Sequence, residues 1–450
     1  MQTRWISAVG SLALLSCGGT DDGSRASGAD GGVPPLPTTG GATGDRTTDD
    51  PGQTMGGSQG TSSSPTSADG GSADDGLVFD VGSPDVPPCG GGTGLDFSYI
   101  WVANSSQGTV SKIDTQTMAE LGRYRVRPDS AGNPSRTSVN LVGDVAVANR
   151  AGGIAKIYAV ESRCVDSNGT PGIQTSTGPA DILPWGEDEC LAWYAPITQN
   201  QQRPVAWTSG VFDETECAWT EQKVWATASN ASSAGSVVAM RFNGDTGALE
   251  LEVPVPELSS GGFGPYGGAV DANNDFWFHS RDSGVPHPLV HVAADGSSYE
   301  IIPVPDPVNP YGITIDSSGR VWLAGYQGGI GRYDPVLGSW QTVPGVTGLG
   351  IQEDAQGRMW MAIYPWATTG VVAFDVETMA IVQTIDMTGV APQSRGVSID
   401  FDGYIWMVDQ TDSAWKLDPD AGTWERYQGL TGPYTYSDMT GWGLSLVSEG

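Results

Sequence analysis

The chain has 450 residues, with 64 Gly, 30 Pro and 16 Trp, and its 52 acidic against 21 basic side chains give a formal net charge of −31. Nucleic acid is excluded as an expected partner, because phosphates are held by Lys and Arg, and an anionic membrane surface is disfavoured for the same reason. The charge suits a well-solvated surface outside the cytoplasm or one that takes up divalent cations.

Residues 1–17 read as a secretory signal. Arg4 is its positive end, and Trp5 to Leu15 is an apolar run too short to cross a bilayer as a helix. Leu14-Leu15-Ser16-Cys17 resembles the lipobox of bacterial lipoproteins. The resemblance implies that Cys17 becomes the lipidated first residue and that the chain meets the membrane through this anchor alone. An ordinary export signal with a chance cysteine is the alternative. No Asp follows Cys17, so the expected location is the outer membrane or cell surface.

Residues 18–94 are rich in Gly, Ser, Thr, Asp and Pro, with few large apolar side chains. Such a segment cannot bury enough surface to offset chain entropy. It is expected to be a disordered tether.

From residue 95 to 450 no helical periodicity of useful length appears, and short strand patterns recur instead. Seven anchors repeat: Ile100-Trp101-Val102, Val145-Ala146-Val147, Val224-Trp225-Ala226, Phe276-Trp277-Phe278, Val321-Trp322-Leu323, Met359-Trp360-Met361 and Ile405-Trp406-Met407. A period of about 40–45 residues is that of a propeller with one four-stranded blade per repeat. The Trp residues are expected to pack between blades. A strand precedes most anchors, as in Tyr311-Gly312-Ile313-Thr314-Ile315-Asp316, and then an Asp/Asn/Ser/Gly turn. The first anchor lacks this strand, and Trp442-Gly443-Leu444-Ser445-Leu446-Val447 at the far end supplies a candidate. The fold class is therefore all-β, a seven-bladed propeller closed by a C-terminal strand that completes the first blade.

The interval from Ala146 to Trp225 is too long for one repeat. The excess, about residues 162–202, reads as an insertion between blades two and three and holds Cys164 and Cys190. In an exported chain these are expected as a disulfide. Cys89 could pair with Cys217, although four cysteines allow three connectivities. Inside the insertion, Asp166, Asn168 and Thr170 have the alternate spacing of the first half of a calcium loop. Pro171 stands at the usual Gly position and Thr177 at the closing acid, so calcium and a solvated Asx turn both remain readings. His279, His287 and His291 all fall in blade four, as a metal site or as turn and strand histidines.

The repeats at Gly264-Pro265-Tyr266-Gly267, Asn309-Pro310-Tyr311-Gly312 and Gly329-Ile330-Gly331-Arg332 resemble those of the virginiamycin B lyase (streptogramin lyase) family. The resemblance implies a seven-bladed propeller and magnesium-assisted elimination that opens a cyclic depsipeptide. It places catalytic histidines directly after Pro at the start of the innermost strand. Here Tyr266 and Tyr311 stand at those positions and no blade carries Pro-His. A phenol of ordinary pKa is a weak base at neutral pH, so no catalytic residue is assigned.

The same slot taken around the ring gives Trp442, Arg136, Arg203, Tyr266, Tyr311, Leu349 and Arg395. Arginines there would hold an anion in bidentate fashion and aromatic rings would stack on a ligand, unless each arginine pairs with an acid such as Asp409 or Asp438. The expected function is a surface-anchored, monomeric binding or interaction module. Its ligand at the channel mouth would be a small anionic or aromatic molecule or a peptide. A divergent magnesium-dependent carbon–oxygen lyase is the alternative.

Overall fold

The structure is a computed structural model that describes residues 98–448, apart from 216, 231–234, 259–262, 282–285 and 437. The signal segment with Cys17, the tether and Cys89 lie outside the described residues.

The repeats fold as antiparallel sheets, six of four strands and one of three, arranged as a seven-bladed propeller. In blade five the strands from the axis outward are Asn309–Ile315, Val321–Gln327, Gly329–Asp334 and Ser339–Pro344. Burial follows that order: the innermost strand is almost wholly buried, while the outermost alternates between half-buried and exposed. A strand covered on both faces can be continuously apolar, whereas an edge strand needs a polar face.

The anchors are the second strands of their blades, and their Trp side chains pack against the next blade. Trp101 clusters with Val145 and Val147 of blade two, Trp322 with Met359 and Phe374 of blade six, and Trp406 with Ile100 and Val102 of blade one. Trp225 stacks on Phe276 of blade four with the ring planes 1° apart. Four indoles are also pinned within their own blade. Trp277, Trp322, Trp360 and Trp406 donate to Asp271, Asp316, Asp354 and Asp400, each six residues earlier, at 2.7–2.8 Å. A buried indole N–H needs such a partner.

Two expectations are corrected. Strand Leu191–Ala195 pairs with Ile154–Ile157 as the outermost strand of blade two. The extra loop is therefore residues 158–190, inside blade two rather than between blades two and three. Its reading as 162–202 swallowed a strand whose alternation is weak. The Cys164–Cys190 disulfide closes this loop, with the Cα atoms 4.6 Å apart.

The ring also closes differently from the expected Trp442–Val447 strand. The C-terminal part of the chain does complete blade one, but with the segment 432–439. Tyr434 N–H donates to Ala103 O at 3.0 Å, and Trp101 N–H to Met439 O at 2.9 Å. Trp442–Ser448 is a short helix. Gly441, at φ +87°, turns the chain after this segment, and the Asp438 carboxylate accepts the N–H groups of Thr440 and Gly441. Leu444 and Val447, three apart, are then buried on one face. The alternation of Leu444 and Leu446 had suggested a strand. This helix packs on the inner strands of blades five and seven, beside a cavity of ≈ 40 Å³ lined by Ser138, Ile313, Gln352 and Asp438 among others.

Candidate functional site

The innermost strands begin at one end of the axis, and there a bulge turns out one side chain in each of blades four, five and seven. The pairing register shifts between Pro265 and Gly267, Pro310 and Gly312, and Ser394 and Gly396. The turned-out residues are Tyr266, Tyr311 and Arg395, and bulges commonly re-aim a side chain in this way. The residue after each is Gly because the next blade comes too close. A Cβ on Gly312 would lie 2.0 Å from Leu349 O, and one on Gly396 2.4 Å from Thr435 O.

Blade two breaks this rule. Its register shifts between Pro134 and Arg136, so Ser135 takes the bulge and Arg136 the position held by Gly elsewhere. Arg136 is fully buried and reaches across to the far blades. Its guanidinium donates to the backbone carbonyls of Tyr266 (2.6 Å), Tyr311 (3.3 Å) and Tyr436 (3.2 Å), and lies 3.3 Å from the centroid of the Tyr436 ring. Among the described residues it has no carboxylate partner.

Around it three phenols share hydrogen bonds. Tyr434 Oη lies 2.9 Å from both Tyr266 Oη and Tyr311 Oη. Arg395 donates to Tyr311 Oη and sits over the Tyr434 and Trp366 rings. Arg203, over Tyr266, donates to Gln201 and to Phe263 O. Neither acid considered as an arginine partner faces this cluster. Asp409 accepts Trp415 Nε1–H and backbone N–H groups, and Asp438 caps the helix.

The phenols differ in acidity. Burial pushes Tyr311, Tyr434 and Tyr436 up. At Tyr266 burial acts the same way, but the Arg203 and Arg281 charges and the bonds to Tyr311 and Tyr434 outweigh it, so this phenol falls below its ordinary value. His279, buried with Nε2–H donating to Tyr311 O at 2.9 Å, is held neutral by burial and by the Arg136 charge.

Above these buried groups is a half-buried aromatic layer. Tyr364 Oη–H donates to Tyr326 Oη at 2.8 Å, Trp366 packs edge-on against Tyr364, and the more exposed Phe263 packs on Tyr266. Arg281 stands in this layer with its guanidinium 4.8–5.3 Å from the centroids of Phe263, Tyr266, Tyr311 and Tyr326. Its Nε is buried without a hydrogen-bond partner, and among the described residues no carboxylate pairs with it.

The structure thus brings together Arg136, Arg203, Tyr266, Tyr311 and Arg395 from the sequence reading. It removes Trp442, which the helix places beyond the opposite ends of the inner strands, where its indole donates to Glu353 O at 2.8 Å. Tyr434 takes its place in the ring. The signal was present: Gly432-Pro433-Tyr434 repeats Gly264-Pro265-Tyr266. Tyr436 and Arg281 carry no comparable motif.

Asp166, Asn168 and Thr170 share one exposed turn outside this cluster. Asn168 Oδ1 accepts Thr170 N–H at 2.7 Å, and the Glu189 carboxylate gathers the N–H groups of Ser167, Asn168 and Gln174 at 2.7–3.1 Å. The three histidines do not form one group: His279 is at the aromatic end, and His291 contacts Asp275 at 2.8 Å.

No protein-family model matches the chain, and no curated protein matches it. Among solved structures it is similar to virginiamycin B lyase from Staphylococcus aureus, at 17% identity over 66% of this chain and 84% of that one, with a TM-score of 0.45. It is also similar to a functionally unknown protein from Desulfotomaculum acetoxidans (12% identity, 76% and 97% of the two chains, TM-score 0.48) and to BamB from Moraxella catarrhalis (12%, 75% and 86%, TM-score 0.42). These are likenesses of fold. Magnesium, implied by the lyase resemblance, does not fit the donors described at the aromatic end. Guanidinium groups repel a divalent cation.

Proposed function

We propose that the protein is an envelope lipoprotein whose propeller is a ligand-binding module, and that its aromatic end takes a small ligand bearing an anionic group beside a flat ring. The observation that carries this is Arg281. A guanidinium walled by four aromatic rings, with a buried Nε–H left unmet, is incomplete. An unsatisfied buried donor costs about 1–3 kcal/mol until something accepts from it. A carboxylate or phosphate would do so in bidentate geometry, and Tyr326, Tyr364 and Trp366 offer faces for its ring. Arg136 braces the carbonyl ring beneath this platform rather than contacting the ligand.

The test is calorimetric titration of the purified chain with a panel of aromatic carboxylates and their neutral amides. The acids are expected to bind and the amides to bind at least about tenfold more weakly, with the preference lost in Arg281→Ala. Equal binding of acids and amides, or an unchanged preference in Arg281→Ala, would overturn the reading. The anchor rests on the lipobox, and a Cys17→Ser chain is expected to leave the membrane fraction.

A further inference from the structure

Blade four departs from blades five to seven where the inner strand ends. In those blades the buried Asp that receives the Trp indole also faces a permanent cation. Arg320 Nε donates to Asp316 Oδ2 and Arg358 Nε to Asp354 Oδ2, each at 2.7 Å, and the Lys416 charge acts on Asp400. Blade four keeps the first half of the device, with Trp277 Nε1–H on Asp271 Oδ2 at 2.8 Å. Four residues on, where blades five and six carry Arg320 and Arg358, stands Asp275. Opposite Trp277 on the third strand, where blades five and seven carry Arg332 and Lys416, stands His291. One cation has been exchanged for a carboxylate and the other for an imidazole.

The three side chains converge: Asp271, Asp275 and His291 each offer a donor atom, all within 4.8 Å of one another. The His291 ring is held in plane by stacking on Trp277, with centroids 4.1 Å apart and planes 16° apart. Arg241 of blade three is taken by Glu250 at 3.6 Å and by the Ala294 carbonyl. All three residues are half-buried, so water and ions reach them.

We propose that Asp271, Asp275 and His291 bind a divalent transition cation, which supplies in blade four the positive charge that arginine or lysine supplies in blades five to seven. Two carboxylates and one imidazole with open positions are a donor set for zinc, cobalt or manganese rather than for calcium. The cation would tie the turn after the inner strand to the third strand of the same blade.

The experiment uses the full chain, stripped with chelator, loaded with zinc and dialysed before metal analysis, with cobalt(II) loaded in parallel for its visible absorption. Wild type is expected to retain one more equivalent of zinc than His291→Gln or Asp275→Asn, and His287→Gln to retain as much as wild type. The cobalt band should be present in wild type and absent from the first two variants, with circular dichroism checking that each is folded. Equal uptake by wild type and both variants would overturn the proposal. So would a wild type that retains no zinc after loading.

Discussion

The two ends of the inner strands are closed by opposite means. At one end side chains from five blades and the closing segment meet: Arg136, Arg203 and Arg395 among Tyr266, Tyr311, Tyr434 and Tyr436. At the other a single backbone element, the helix Trp442–Ser448, lays Leu444 and Val447 against the inner strands. The first closure is polar and concentrates cationic charge in a molecule of net charge −31. The second buries apolar side chains of the helix, with the Asp438 carboxylate capping it. Polar closure leaves groups such as Arg281 that a ligand can complete, while apolar closure leaves only a small cavity. On the proposed function, recognition belongs to the first end, while the helix packs against the second.

The largest expected effect comes from removing the group that spans the polar end. Arg136→Ala strands three buried carbonyls and opens space at the axis. A loss on the order of 4–5 kcal/mol in chemical denaturation is expected, because hydrogen bonds to charged groups contribute about 1.5–3 kcal/mol each and are not additive. A loss below about 1 kcal/mol would show that the end is braced by something else.

Deleting residues 442–450 sharpens the contrast from the other side. It removes the buried Leu444 and Val447 side chains, for an expected loss of about 3 kcal/mol, but leaves the closing hydrogen bonds of Tyr434 and Met439 in place. Circular dichroism should still report a folded β protein. Complete unfolding would mean that the helix, and not the segment before it, closes the ring.

The smallest effect is a pH dependence at the helical end. Burial, opposed by the Ser317 hydrogen bonds and reinforced by the Asp316 charge, raises the Glu353 carboxyl to about 7. A carboxyl whose pKa is higher folded than unfolded contributes stability when protonated. That contribution is full below its unfolded value of about 4.3 and is lost as pH rises through about 7. Wild type should therefore lose melting temperature between pH 5 and pH 8 relative to Glu353→Gln, in which this slope flattens. Parallel curves would show that Glu353 ionises as an ordinary surface acid.

Much of this molecule is local and therefore legible in its residues. The Asp-to-Trp spacing of six that pins the indole in blades four to seven lies within one hairpin, and the recurrence of that hairpin requires blades. The disulfide across the blade-two loop followed from two cysteines within one inserted loop. What pattern could not decide depends on register. One bulged residue separates the slot of Arg395 from that of Arg136, so the two arginines do different work although they looked equivalent in the repeat. Closure was likewise undecidable by alternation alone, since Trp442-Gly443-Leu444-Ser445-Leu446-Val447 satisfies a strand pattern and becomes a helix only after Asp438 and Gly441 have turned the chain beyond the true closing segment. Hydrophobic periodicity is written along the chain, whereas contact across an axis depends on how seven separate blades come to face one another.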